Sequence, residues 1–164
     1  MKSQRGGVQP VSHDQLFQKH DHDSYKAGRK LPGPTRCPDC GAVFQKGRWS
    51  WGSAPDAAHE ERCPACHRIR DKFPAGFVAL KGAFLAEHRD EILHLIRNHE
   101  AKEKAERPLQ RIIAIVEGAD GMMVTTTDTH LARDLAQALQ RAYKGELGLH
   151  YNKEENLLRA TWSR

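Results

Sequence analysis

Four cysteines stand in two C-x2-C pairs, Cys37-Pro38-Asp39-Cys40 and Cys63-Pro64-Ala65-Cys66, separated by 22 residues. This spacing is close to that of a four-thiolate zinc site. Two residues between cysteines make a tight knuckle whose sulfurs converge on one ion at about 2.3 Å. Proline after the first cysteine of each pair fixes φ, and Gly41 after the first pair permits the positive φ that turns backbone N–H groups toward sulfur. The second pair has His67 where that glycine would stand. An iron site with the same ligands shares the spacing, whereas a redox dithiol lacks its usual βαβ context here. With Cys37, Cys40, Cys63 and Cys66 all filling the coordination sphere, the expected site is closed and structural: one ion that holds a fold together. His59 and His67 flank the second pair as less suited substitutes.

Between the pairs, Val43-Phe44-Gln45-Lys46-Gly47-Arg48-Trp49-Ser50-Trp51-Gly52 alternates well enough for the hairpin of a zinc ribbon. Lys46, Arg48, Trp49 and Trp51 interleave cations with aromatics, a pattern that suits stacking on unpaired bases with cations on phosphates. The same tryptophans also suit the small core that a ribbon needs. Arg68, Arg70 and Lys72 follow the second pair and fit either phosphate or an ordinary solvated face.

The charge is unevenly spread. Of a net +5, residues 1–36 hold seven Lys/Arg against three Asp/Glu, and the remainder is nearly balanced. That segment is rich in Gly and Pro and poor in apolar residues, so it reads as a disordered basic arm. Lys2, Arg5, Lys19, Lys26, Arg29, Lys30 and Arg36 would supply salt-sensitive affinity for nucleic acid.

The ribbon is expected over 37–82, closing with a short strand at Phe77-Val78-Ala79-Leu80. An α+β domain follows over 83–164. Phe84, Leu85, His88, Ile92, Leu95, Ile96 and His99 recur at helical spacing, predicting one amphipathic helix over 83–106 that Pro108 stops. Strands are expected over 110–117 and 122–127, joined at Gly118-Ala119-Asp120-Gly121. A helix over 129–144 has Thr127 or Asp128 as its cap and a stripe of Leu131, Leu135, Ala138, Leu139 and Ala142. Strands over 146–151 and 157–163 complete a helix–hairpin–helix–hairpin order. The expected result is a four-stranded antiparallel sheet with both helices on one face.

The longest apolar run, Ile112–Val116, falls far short of the roughly 18–20 residues of a membrane span. The first residues, MKSQRGGVQPVSHDQ, have no apolar h-region and do not read as a secretory signal. The expected setting is cytoplasmic, where thiols are reduced and paired cysteines serve metals. Neither GxxxxGK[ST] nor GxGxxG, HExxH nor GxSxG occurs. The Thr125–His130 cluster reads as capping at a strand–helix junction, so the chain is read as non-enzymatic.

The segments CPDCGAVFQKGRWSW, CPACHRIRDKFPAGFVALKGAFLAEHRDEILHLIRNHE and TTTDTHLARDLAQALQRAYKGEL with YNKEENLLRATW resemble a bacterial family of uncharacterised zinc-ribbon proteins. That family is similar in turn to the N-terminal part of nonsense-mediated mRNA decay protein 3, a ribosomal large-subunit adaptor. The resemblance implies zinc binding by the four cysteines and association with rRNA or the ribosome. The chain has only two C-x2-C pairs and no long C-terminal extension, so it does not imply a subunit-assembly role.

These readings converge on an RNA-binding zinc ribbon docked on rRNA or a ribosomal subunit, the arm and ribbon making the contacts. The alternatives are a protein–protein adaptor using the open sheet face, and a zinc-ribbon transcription regulator.

Overall fold

The structure, a computed structural model, describes residues 25–26 and 30–164. Most of the arm, including Lys2, Arg5, Lys19 and Arg29, lies outside the described residues. The described chain forms two sheets. The first has β1 (Thr35–Arg36), β2 (Val43–Gln45), β3 (Arg48–Ser50) and β4 (His59–Glu60), in the order β3-β2-β1-β4. β2 and β3 form the expected hairpin. Its two-residue turn places Lys46 at φ 52° and Gly47 at φ 81°, the paired positive φ values that match the twist of the flanking strands. β1 lies inside the segment expected to be a disordered arm. There it pairs antiparallel with β2 and parallel with β4, and Thr35 is fully buried with its hydroxyl donated to the Pro32 carbonyl. The ordered ribbon therefore starts before its first cysteine, because that strand needs the partners on either side of it.

Helix α1 (Pro64–Asp71) leads into the second body. This comprises β5 (Gly76–Lys81), α2 (Ala83–Glu87), α3 (Arg89–Glu106), β6 (Ile112–Gly118), β7 (Gly121–Thr126), α4 (Thr129–Tyr143), β8 (Glu146–Asn152) and β9 (Leu157–Ser163). The sheet is not the expected four-stranded antiparallel one. It has five strands in the order β6-β7-β5-β9-β8, and β5 at its centre runs antiparallel to β7 and parallel to β9. The extra strand is the segment expected to close the ribbon. Val78 and Leu80 point into the core while Phe77 and Ala79 take the opposite face, a strand covered on one side and paired on both edges.

One core joins Val78, Leu80, Ile92, Ile96, Met122, Val124, Leu131, Leu135, Leu139, Ala160 and Trp162. Both long helices contribute to it, so they cover the same sheet face. In α4 the buried stripe is Leu131, Ala132, Leu135, Ala136 and Leu139. Ala132 and Ala136 stand where Ala138 and Ala142 were expected, because the helix turns its small residues onto β5. The approach is close: a Cβ on Gly76 would come within 2.4 Å of both the Ala132 Cβ and the Thr126 hydroxyl. The expected single helix over 83–106 breaks at His88, whose backbone (φ −117°, ψ 25°) leaves the α region. The chain can then turn from packing Phe84 and Leu85 to packing Ile92 and Ile96. β6 begins at Ile112, later than expected, and is irregular between Ile112 and Ala114.

Asp128 caps α4, its Oδ1 accepting the Leu131 N–H at 3.0 Å. Asp128→Ala is expected to cost about 1 kcal/mol, read as a lower urea midpoint at unchanged slope. No helix among the described residues is long and apolar enough to cross a membrane.

Candidate metal centre

The two cysteine pairs reach the same point by different local structures. Cys37-Pro38-Asp39-Cys40-Gly41 is a knuckle: the Gly41 N–H bonds the Cys37 carbonyl at 2.9 Å, and the Cys37 N–H bonds the Ala42 carbonyl at 2.8 Å. Gly41, at φ 79°, supplies the left-handed turn that closes it. The second pair opens a helix instead. Cys63 is the N-cap of α1, its sulfur accepting the Cys66 N–H at 3.4 Å, and Pro64 takes the first helical position. This is why no glycine is required after Cys66: His67 simply continues the helix, its N–H on the Cys63 carbonyl at 3.1 Å. The two halves are joined by the Cys63 N–H, which donates to the Cys37 sulfur at 3.3 Å.

All four sulfurs lie within 4.8 Å of one another, and none is in a disulfide. Cys40 and Cys63 are 3.8 Å apart, sulfur to sulfur. A tetrahedron with metal–sulfur bonds of 2.3 Å has edges of about 3.8 Å, so the spacing fits one four-coordinate ion. Cys37 and Cys63 are fully buried and Cys66 nearly so. Burial pushes the Cys63 thiol well up and the Cys66 thiol to about 11. At Cys37 burial also acts upward, but the N–H groups of Cys63, Cys40 and Asp39 outweigh it and the thiol is lowered. A bound dication would supply the opposite charge that buried thiolates require.

A fifth side chain enters this cluster from the other body. Arg111, 7% exposed, lies just before β6. It donates from Nη2 to the Cys63 sulfur at 3.1 Å and from both Nη1 and Nη2 to the Cys66 sulfur at 3.3 Å, with Cys40 at 3.8 Å. Its backbone is held by Thr127. The Thr127 hydroxyl accepts the Arg111 N–H at 3.0 Å, and the Thr127 N–H bonds the Arg111 carbonyl at 2.9 Å. Leu109, whose carbonyl accepts the Thr127 hydroxyl at 2.6 Å, packs against the cysteine cluster. Nothing in the local sequence marks Arg111, which reads there as the start of an ordinary strand. Thr127 likewise reads as a cap, although Asp128 takes that role.

The residues expected to meet nucleic acid divide into groups. Lys26, Lys30, Lys46, Arg48, Arg70 and Lys72 are exposed, and Arg29 lies outside the described residues. Arg36 pairs with Glu60 across β1 and β4 at 3.4 Å. Trp49 is half-buried, its ring 5.5 Å from that of Phe44, and packs against the cysteine cluster; it belongs to the ribbon's small core. Trp51 donates its indole N–H to the Lys104 carbonyl at 2.6 Å and so ties the ribbon to the end of α3. Arg68 departs from expectation. It is 2% exposed, its guanidinium lies 4.4 Å from the Tyr25 ring centre, and Nη1 donates to the Phe73 carbonyl at 3.1 Å. As a packed interior cation it does not face solvent as a phosphate ligand must.

No protein-family model matches the chain, and no curated protein matches it.

Proposed function

We propose that this chain is a non-enzymatic zinc protein that docks on ribosomal RNA or a ribosomal subunit in the cytoplasm. The observation that carries the RNA reading is on the metal-held ribbon. Lys46 and Arg48 at the β2–β3 turn, with Arg70 and Lys72 at the end of α1, are exposed and have no ion pair among the described residues. Cations on a rigid frame bind phosphates without first giving up an acidic partner. Zinc is the ion favoured by four thiolates in a tetrahedral set, and such a set leaves no position open for water. Cys37, Cys40, Cys63 and Cys66 would hold it, and the ion would supply folding energy. The resemblance to ribosome-adaptor ribbons points the same way.

In sucrose gradients of lysate at low salt, the protein is expected to travel with ribosomal fractions and to leave them as salt rises. Alanine at Lys46, Arg48, Arg70 or Lys72 should weaken RNA binding across sequences. Each change should also reduce the salt slope by about 1. Sedimentation only at the top of the gradient at every salt concentration would refute the reading.

One observation favours an adaptor instead. Val116, 62% exposed, shares a row with Met123, Ala79 and Thr161 across the helix-free sheet face. A partner captured through nuclease treatment and high salt would support that reading. A shift of duplex DNA in a mobility assay would instead indicate a transcription regulator.

A further inference from the structure

We propose that Arg111 is a positioning residue of the metal centre, supplied by the five-stranded sheet body to neutralise and shield the thiolates of the ribbon. This rests on the four cysteines holding a metal ion. Four thiolates around a dication leave a net charge of −2 in a largely buried site, and a guanidinium is always charged. The Arg111 guanidinium has no carboxylate partner among the described residues. Its Nε is buried without a hydrogen-bond partner. The interactions that offset its burial therefore come from the sulfurs of Cys40, Cys63 and Cys66. A buried cation so placed needs anions there, and thiolates around a metal are those anions.

The planar fork also suits the task. Two nitrogens reach Cys66 while one of them serves Cys63 and approaches Cys40, a spread that a lysine ammonium on a single atom does not reproduce. The arginine is aimed by Thr127 on both sides of its peptide, so its direction is set by the junction between β7 and α4 rather than by the ribbon. Hydrogen bonds to metal-bound sulfur draw electron density from the thiolate. That, with the guanidinium charge, eases the repulsion among the four thiolates and so favours the loaded site, and it makes the sulfur a poorer nucleophile toward alkylating agents. Electrophile resistance and metal affinity of the ribbon are thus set from outside it.

The test compares wild type, Arg111→Met and Arg111→Lys as full chains, with far-UV circular dichroism to establish folding. Zinc affinity is measured by competition with a chromophoric chelator. Zinc release is followed after adding N-ethylmaleimide, and the sulfur-to-metal charge-transfer bands are recorded with Co2+. Arg111→Met is expected to lose about 10–100-fold in zinc affinity, to release zinc faster, and to shift the cobalt bands to lower energy. Arg111→Lys should fall between it and wild type in all three. If Arg111→Met does not fold, Arg111→Lys decides. A lysine variant equal to wild type in affinity and bands overturns the proposal, as does a folded methionine variant equal to wild type. A wild-type protein that takes up no metal overturns the metal reading itself, and this one with it.

Discussion

Cys63→Ser, or removal of the metal with a strong chelator, is expected to unfold the ribbon while leaving most of the α/β body in place. The ribbon has little else to hold it. Its strands are two or three residues long, and its core consists of Cys37, Ala42, Cys63, Ala65 and Cys66, with Cys40, Trp49 and Leu109 packed on them. Three of the five core residues are cysteines of the candidate metal site, so a bound ion would stand inside the core itself. Apparent binding free energies of about 10–16 kcal/mol are typical for structural zinc, against about 5–15 kcal/mol for the stability of a whole domain. Such a site therefore decides whether its ribbon folds. Cys63 does more than donate a sulfur, since it also caps α1 and bonds to Cys37 through its N–H. In an amide-resolved NMR spectrum, signals from residues 35–72 should collapse to disordered positions. Those of the sheet core should persist, because that core is separate and contains no ligand. A spectrum unchanged after complete metal removal would show that the cysteines do not hold the ribbon together.

Trp162→Ala is expected to cost the α/β body about 3–5 kcal/mol, in the range for large aromatic deletions from a core. Trp162 is fully buried on β9, level with Leu80 of β5 and Leu147 of β8. Its ring meets Phe84 edge-on at 6.3 Å and lies 6.5 Å from Tyr143. Its indole N–H donates to the Lys144 carbonyl at 2.7 Å, which satisfies the end of α4 where Lys144 and Gly145 adopt positive φ. Deletion would thus open a cavity and strip a partner from a helix terminus. Trp162→Phe separates the two losses: it keeps much of the packing and should cost only about 0.5–1.5 kcal/mol, the scale of one partly buried hydrogen bond. Urea titrations followed by far-UV circular dichroism supply the comparison. Equal midpoints for wild type and Trp162→Ala would exclude the assigned role.

The parts of the fold legible in advance are those encoded within one short segment. The cysteine spacing, a hairpin within residues 43–52, a cap at Thr127 or Asp128 and the 3.6-residue period of α4 all depend on neighbours a few positions apart. Where two segments compete for one role, the reading slipped. Four apolar residues at 77–80 look the same whether they close a ribbon or occupy the middle of a sheet. Arg68, between the exposed Ile69 and Cys66 of the candidate metal site, looks like a surface cation until Tyr25 and Phe73 are seen to cover it.

The amino-acid order alone therefore settles the ligand set. Each C-x2-C pair brings its own two sulfurs together locally, while the meeting of the two pairs rests on β1 pairing with β4 and on the Cys63 N–H reaching the Cys37 sulfur. The amino-acid order could not settle what surrounds those ligands. Arg111 meets Cys66 across 45 positions, and β5 meets β9 from the far end of the chain in parallel register. Neither contact leaves a periodic trace, since each is decided by which surfaces bury the most apolar area and which buried charges find a partner. The metal site's ligands are thus a property of the sequence, and its electrostatic environment a property of how the two bodies pack.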